Sequence, residues 1–170
     1  MRRIALSLFL FCTVNMINAQ NPFFEKYNTP HQTVPFDKIK NEHYEPAMLE
    51  GIKLHEAEIE AIINNPEAPT FANTIVAYEK SGKFLDRVIT VFGNLRSAET
   101  NDDLQKIAQK MIPLLSEHSN NISLNEKLFQ RVKAVYKQKS KLSLTIEQAK
   151  LLDDIYDGFV RRGANLQGEA

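Results

Sequence analysis

From Glu42 to Gly163 the apolar residues return every three or four positions, and nowhere do they alternate with polar ones over a run long enough to make a strand. A backbone whose apolar side chains repeat with that period buries them as a stripe along a helix, and each stripe needs a second element to cover it. The fold class that follows is all-α, with helical hairpins packed as a bundle. No Asn-Gly or Asp-Gly pair lies between alternating runs to suggest a hairpin of strands.

The stripes can be named one by one. Tyr44, Met48, Ile52, His55, Ile59 and Ile62 share one face of a long helix that Asn64-Asn65-Pro66 ends. Thr70 can cap a second helix facing inward through Phe71, Ile75 and Tyr78. Ser81-Gly82 then breaks the pattern before Leu85, Val88, Phe92, Leu95 and Ala98 resume it, which suggests an antiparallel helical hairpin. Asn101 or Asp102 opens a fourth helix carrying Leu104, Ile107, Met111 and Leu115, and Pro113 is expected to bend it or to end its first half. A fifth begins at about Asn125, with Leu128, Val132 and Val135 inward. Thr145 and Gln148 match a capping box for a sixth, whose stripe of Leu152, Ile155 and Phe159 stops at Gly163.

The N-terminus is organised differently. Met1-Arg2-Arg3, the mostly apolar stretch from Ile4 to Val14, and Asn18-Ala19-Gln20 together read as a secretory signal over residues 1–19, cleaved before Gln20, with export to the periplasm or the exterior. The apolar stretch falls well short of the roughly 20 residues needed to span a bilayer. Cys12, the single cysteine, lies inside the signal, and the bulky Phe11 before it suits a lipoprotein site poorly. The mature chain therefore has no disulfide, thiol nucleophile or cysteine-ligated metal. Over residues 20–41, Pro22, Pro30 and Pro35 alternate with Phe23, Phe24, Tyr27 and Phe36. This is the pattern of an extended segment anchored across the surface of a helical region spanning 42–170.

Twenty-one Lys and Arg side chains balance 21 Asp and Glu, so no basic footprint invites nucleic acid, and no membrane partner is expected once the signal is gone. His55-Glu56 begins like the zinc signature H-E-x-x-H, but Ile59 stands where the second histidine must be. Since His55 sits on an apolar stripe, a hydrogen-bonded histidine in a packed interface is the expected reading, and His31, His43 and His118 look scattered. The carboxylate pairs Glu56 with Glu60 and Asp153 with Asp157 match ordinary exposed acidic helix faces. No Gly-x-Ser-x-Gly elbow or glycine-rich phosphate loop is present, and Asn121-Ile122-Ser123 is only formally a glycosylation acceptor. The residues by themselves assign no catalytic, cofactor-binding or metal-binding position.

Several stretches nevertheless occur together in a telling order. They are Pro35-Phe36-Asp37-Lys38-Ile39, Glu42-His43-Tyr44-Glu45-Pro46-Ala47, Gly51-Ile52 with His55 and Glu58-Ile59, and Pro69-Thr70-Phe71-Ala72-Asn73-Thr74-Ile75. Glu79-Lys80-Ser81-Gly82, Val91-Phe92-Gly93-Asn94-Leu95, Leu124-Asn125 with Leu128-Phe129, Val132 with Val135-Tyr136, and Phe159-Val160-Arg161-Arg162-Gly163-Ala164 continue it. Taken together they resemble the N-terminal region of thimet oligopeptidase-type zinc metallopeptidases, in the peptidyl-dipeptidase and oligopeptidase A branch. That resemblance implies a much longer all-helical parent folded as two lobes around a channel that admits short peptides. It also implies a zinc ion held by H-E-x-x-H and a further glutamate in a region this sequence does not reach, so that zinc belongs to the parent and none is bound here. On this reading the chain is a truncated N-terminal lobe that walls the channel and is inactive alone. Its partners are short peptide substrates and the missing C-terminal catalytic lobe, and the parent releases C-terminal dipeptides. The alternative is a stand-alone helical module that binds a peptide or protein without catalysis.

Overall fold

A computed structural model describes residues 21–164, and among them every regular element is helical. The signal expected over 1–19, Cys12 within it, and residues 165–170 lie outside the described residues. The helices are α1 (Tyr44–Ile63), α2 (Ala77–Lys80), α3 (Lys83–Ala98), α4 (Asp102–Ser123), α5 (Glu126–Tyr136) and α6 (Ile146–Arg161). No helix among the described residues is long and apolar enough to cross a membrane. The contacts divide the chain into two compact units, the first comprising residues up to 51 with 84–111 and the second residues 52–83 with the chain from 112 onward.

In the first unit, the segment before α1 is extended but broken by 3-10 turns at Pro22–Phe24, Pro30–Gln32 and Asn41–His43. Proline's fixed φ suits the first position of such a turn. Asn21 caps the first of them, accepting from Phe23 N, and its amide donates to His43 O at 2.9 Å. The segment does more than lie across a surface, because Phe23 is fully buried, 5.4 Å from the Tyr44 ring, which in turn meets Phe92 edge-on at 5.1 Å. Arg87 donates to Phe23 O at 2.7 Å and lies over the Tyr27 ring, closing the apolar layer with a cation. Gly51 lets α1 approach Leu85 closely, since a Cβ there would stand 2.9 Å from the leucine Cδ1.

Among the described residues an apolar cluster fills the second unit. Ile59 and Ile62 of α1, Ile75, Leu128, Phe129, Val132 and Val135 of α5, and Leu152, Ile155 and Phe159 of α6 are all buried in it. Asn125 caps α5 by accepting from Leu128 N at 2.9 Å. Thr145 and Gln148 form the reciprocal capping box on α6: Gln148 N donates to Thr145 Oγ1, and Thr145 N donates to Gln148 Oε1. Replacing Thr145 by alanine is expected to cost about 1 kcal/mol. In a thermal melt that is a Tm lower by about 2–4 °C for a chain of this size, and an unchanged Tm would mean that Gln148 holds the helix start unaided. At the far end Gly163, at φ +92°, ends the helix, with Ala164 N reaching Phe159 O and Gly163 N reaching Val160 O.

Two expectations change in detail. Pro113 does not end the fourth helix, because α4 runs unbroken from Asp102 to Ser123; the boundary between the two units falls between Met111 and Ile112, beside the proline. The helix capped by Thr70 begins as a π-helical turn, Phe71–Val76, before the α-helical Ala77–Lys80. The wide turn is held by Asn73, whose amide oxygen accepts from Thr70 N and whose amide nitrogen donates to Ala68 O at 3.0 Å. Arg131 of α5 ties the preceding loop down through Asn65 O and Glu67 O.

Candidate functional site

Two histidines, 63 residues apart in sequence, meet inside the second unit. His55 stands on α1 and His118 on α4, each within its helix's apolar stripe, and their rings cross edge-to-face at 5.0 Å between centroids. His118 Nε2 lies 3.1 Å from His55 Nδ1, and His55 Nε2 lies 3.2 Å from Ser81 Oγ. His118 is 6% exposed, so this polar chain is buried at one end. His55 was expected to be hydrogen-bonded within a packed interface, and it is. His118, which looked scattered, is its partner.

The hydrogens can be placed by following the chain from the serine. Ser81 Oγ donates to Tyr78 O at 2.7 Å, at the end of α2, so it can only accept from His55 Nε2–H. His55 Nδ1 is then the bare nitrogen and receives His118 Nε2–H. His118 Nδ1 has no hydrogen-bond partner and faces Glu56 Oε1 at 3.6 Å, beyond hydrogen-bond range but within reach of a charge interaction. Beside the serine, Gly82 at φ +71° donates its N–H to Glu58 Oε2 at 2.7 Å. Burial lowers the His55 pKa, and His118 lowers it further, against the smaller opposing pull of Glu58 and Glu56.

This arrangement has the order serine–histidine–histidine–glutamate, which invites a nucleophilic reading, but the proton directions deny it. The serine hydrogen is committed to a helix-end carbonyl, the histidine nitrogen facing the serine is already protonated, and the nearest backbone donor, Gly82 N–H, is taken by a carboxylate. A metal fares no better. Among the described residues no three His, Cys, Asp or Glu side chains converge on a point, and the facing histidine nitrogens are engaged with each other and with Ser81. The residues present do not fit a zinc site, and no step through zinc is assigned to them.

The remaining candidates disperse. Ile59, at the second histidine position of H-E-x-x-H, is buried in the core. His31 sits in a turn at φ +56°, and His43 Nδ1 accepts from Lys40 N. Glu60 accepts from Asn64, and both oxygens of Asp153 accept from Lys139, so neither acidic pair is poised for acid–base work. A shallow depression of about 350 Å³ borders the site, lined by Glu58, Lys80 and Ser81 among others, and a second of about 250 Å³ is lined by Tyr78, Phe159 and Arg162.

No family model matches the chain. Individual proteins do. It is 44% identical over 149 residues to a dipeptidyl carboxypeptidase of Salmonella typhimurium and 42% identical over 150 residues to one of Escherichia coli, in each case along 88% of this chain. Oligopeptidase A of Salmonella typhimurium matches at 24% over 149 residues. The chain spans about a fifth of the length of these relatives, 22% of each dipeptidyl carboxypeptidase and 21% of the oligopeptidase.

Proposed function

We propose, from this kinship with the dipeptidyl carboxypeptidase and oligopeptidase A branch, that the chain is one segment of an exported zinc-dependent peptidase that removes dipeptides from the C-termini of short peptides. The observation that carries the reading is the identity to dipeptidyl carboxypeptidases along 88% of the chain, far above that to oligopeptidase A. The segment's contribution is shape. Its helices wall the passage that admits extended peptides, while the catalytic zinc is held by residues elsewhere in the longer polypeptide. Supporting that division of labour, Ser81, the Gly82 N–H and the facing nitrogens of His55 and His118 are engaged with one another, with Glu58 and with a helix-end carbonyl.

The test compares two polypeptides, the 170-residue chain and the longer product of the same reading frame. The longer product is expected to release C-terminal dipeptides from an N-terminally blocked pentapeptide, to stop when a chelator is added, and to recover with zinc. The chain alone is expected to release nothing. Internal cleavage of the pentapeptide by the longer product would move the reading to an oligopeptidase. A reading frame that stops directly after Ala170, with tight binding of the uncleaved peptide by the chain, would replace it with a binding module.

A further inference from the structure

Two imidazoles joined by one hydrogen bond, His118 buried and His55 half-buried, can count protons. With both rings neutral, the chain His118 Nε2–H to His55 Nδ1 and His55 Nε2–H to Ser81 Oγ is complete. One further N–H can be accommodated without breaking it, at His118 Nδ1, which is otherwise unpartnered and faces Glu56 Oε1 at 3.6 Å. A second cannot. It puts N–H groups on both of the facing nitrogens, so a 3.1 Å hydrogen bond becomes a contact between two cations.

The geometry points to a pH-gated latch: the His55–His118 pair holds the Ser81-Gly82 turn against α1 and α4 near neutral pH and lets it go on acidification. The turn is tied at three points, by Ser81 to His55, by Gly82 N–H to Glu58, and by the His55 ring itself, which packs where a Gly82 Cβ would stand 2.7 Å from its Cε1. The charged groups facing His55 are His118 from α4 and Glu56 and Glu58 from its own helix; the turn contributes no charge to it. Because the folded chain resists the last proton, its His55 pKa lies below the unfolded value of about 6.5. The unfolded chain binds more protons just below that value, so the latch's contribution is complete above about pH 6.5 and is lost as the pH falls toward the folded pKa.

Hydrogen–deuterium exchange of the peptide containing residues 78–83, read by mass spectrometry at about pH 7.5 and about pH 5 and corrected for intrinsic exchange, tests this. In the unaltered protein the protection of the turn is expected to fall about fivefold at the lower pH, the equivalent of one hydrogen bond of ~1 kcal/mol. In His55→Gln, which keeps an amide donor and a carbonyl acceptor but cannot titrate, protection should be the same at both pH values. His118→Gln, which removes the neighbouring positive charge and whose amide oxygen can turn to accept from a protonated His55, should make the loss smaller. The proposal is overturned if the unaltered turn keeps its protection at about pH 5, or if either variant reproduces the unaltered pH dependence.

Discussion

Phe129→Ala is expected to cost the second unit about 4 kcal/mol, within the range found when a fully buried phenylalanine is cut to alanine. The ring is 1% exposed and is the hinge of an aromatic layer, 5.8 Å from Phe159 and 5.9 Å from Tyr156. Tyr156 stacks on Tyr136 at 3.8 Å, and Phe159 meets Tyr78 at 5.6 Å, so the rings of α2, α5 and α6 form one connected surface with Phe129 inside it. Lys133 lies over the outer face of the ring at 5.6 Å and would be left above a cavity. Phe129→Leu, which keeps most of the volume but no ring, should cost about 1.5 kcal/mol. Urea titrations of both variants give the answer through their midpoints. A Phe129→Ala loss below about 1 kcal/mol would mean that the layer collapses into the vacated space and that the packing is softer than these distances imply.

How much of this was legible in the sequence depends on the range over which each feature is decided. Leu152, Ile155 and Phe159, and the cap of Thr145 with Gln148, are settled within one or two helical turns, and the local pattern placed them. The burial of Phe23 beside Tyr44 and Phe92 is settled across the first unit, and the pattern read it only as an aromatic anchored on a surface. The π-helical opening at Phe71–Val76 depends on the amide of Asn73, which a three-to-four-residue period does not register.

His118 is the instructive miss. Continued past Leu115 by three and four residues, the stripe of α4 runs through His118 to Ile122, both buried. The same rule that set His55 on the stripe of α1 thus set a second histidine on the stripe of α4. Two histidines on the buried faces of two helices are candidates to be each other's partner, because a buried imidazole must satisfy its nitrogens somewhere. What the period cannot supply is which levels of the two helices meet, so the pairing had to wait for the fold.

Gly82→Ala is expected to destabilise the second unit by about 3 kcal/mol, and the size follows from two separable causes. The first is backbone strain: at φ +71° an alanine pays the left-handed penalty of about 1–2 kcal/mol. The second is the ring of His55, which would lie 2.7–3.0 Å from the new Cβ and must move away. That ring is pinned by Ser81 and His118, so moving it breaks two hydrogen bonds, at about 1 kcal/mol each. The two causes are distinguished by a double-mutant cycle with His55→Ala, in which the ring is absent and only the backbone penalty remains. In that background Gly82→Ala should cost about 1–2 kcal/mol. Gly93→Ala in α3 and Gly158→Ala in α6 meet nothing within 4 Å, and each should instead gain up to about 1 kcal/mol from helix propensity. Equal costs for Gly82→Ala in the two backgrounds would show that the ring yields freely, and would remove the steric tie that joins the histidine pair to the turn.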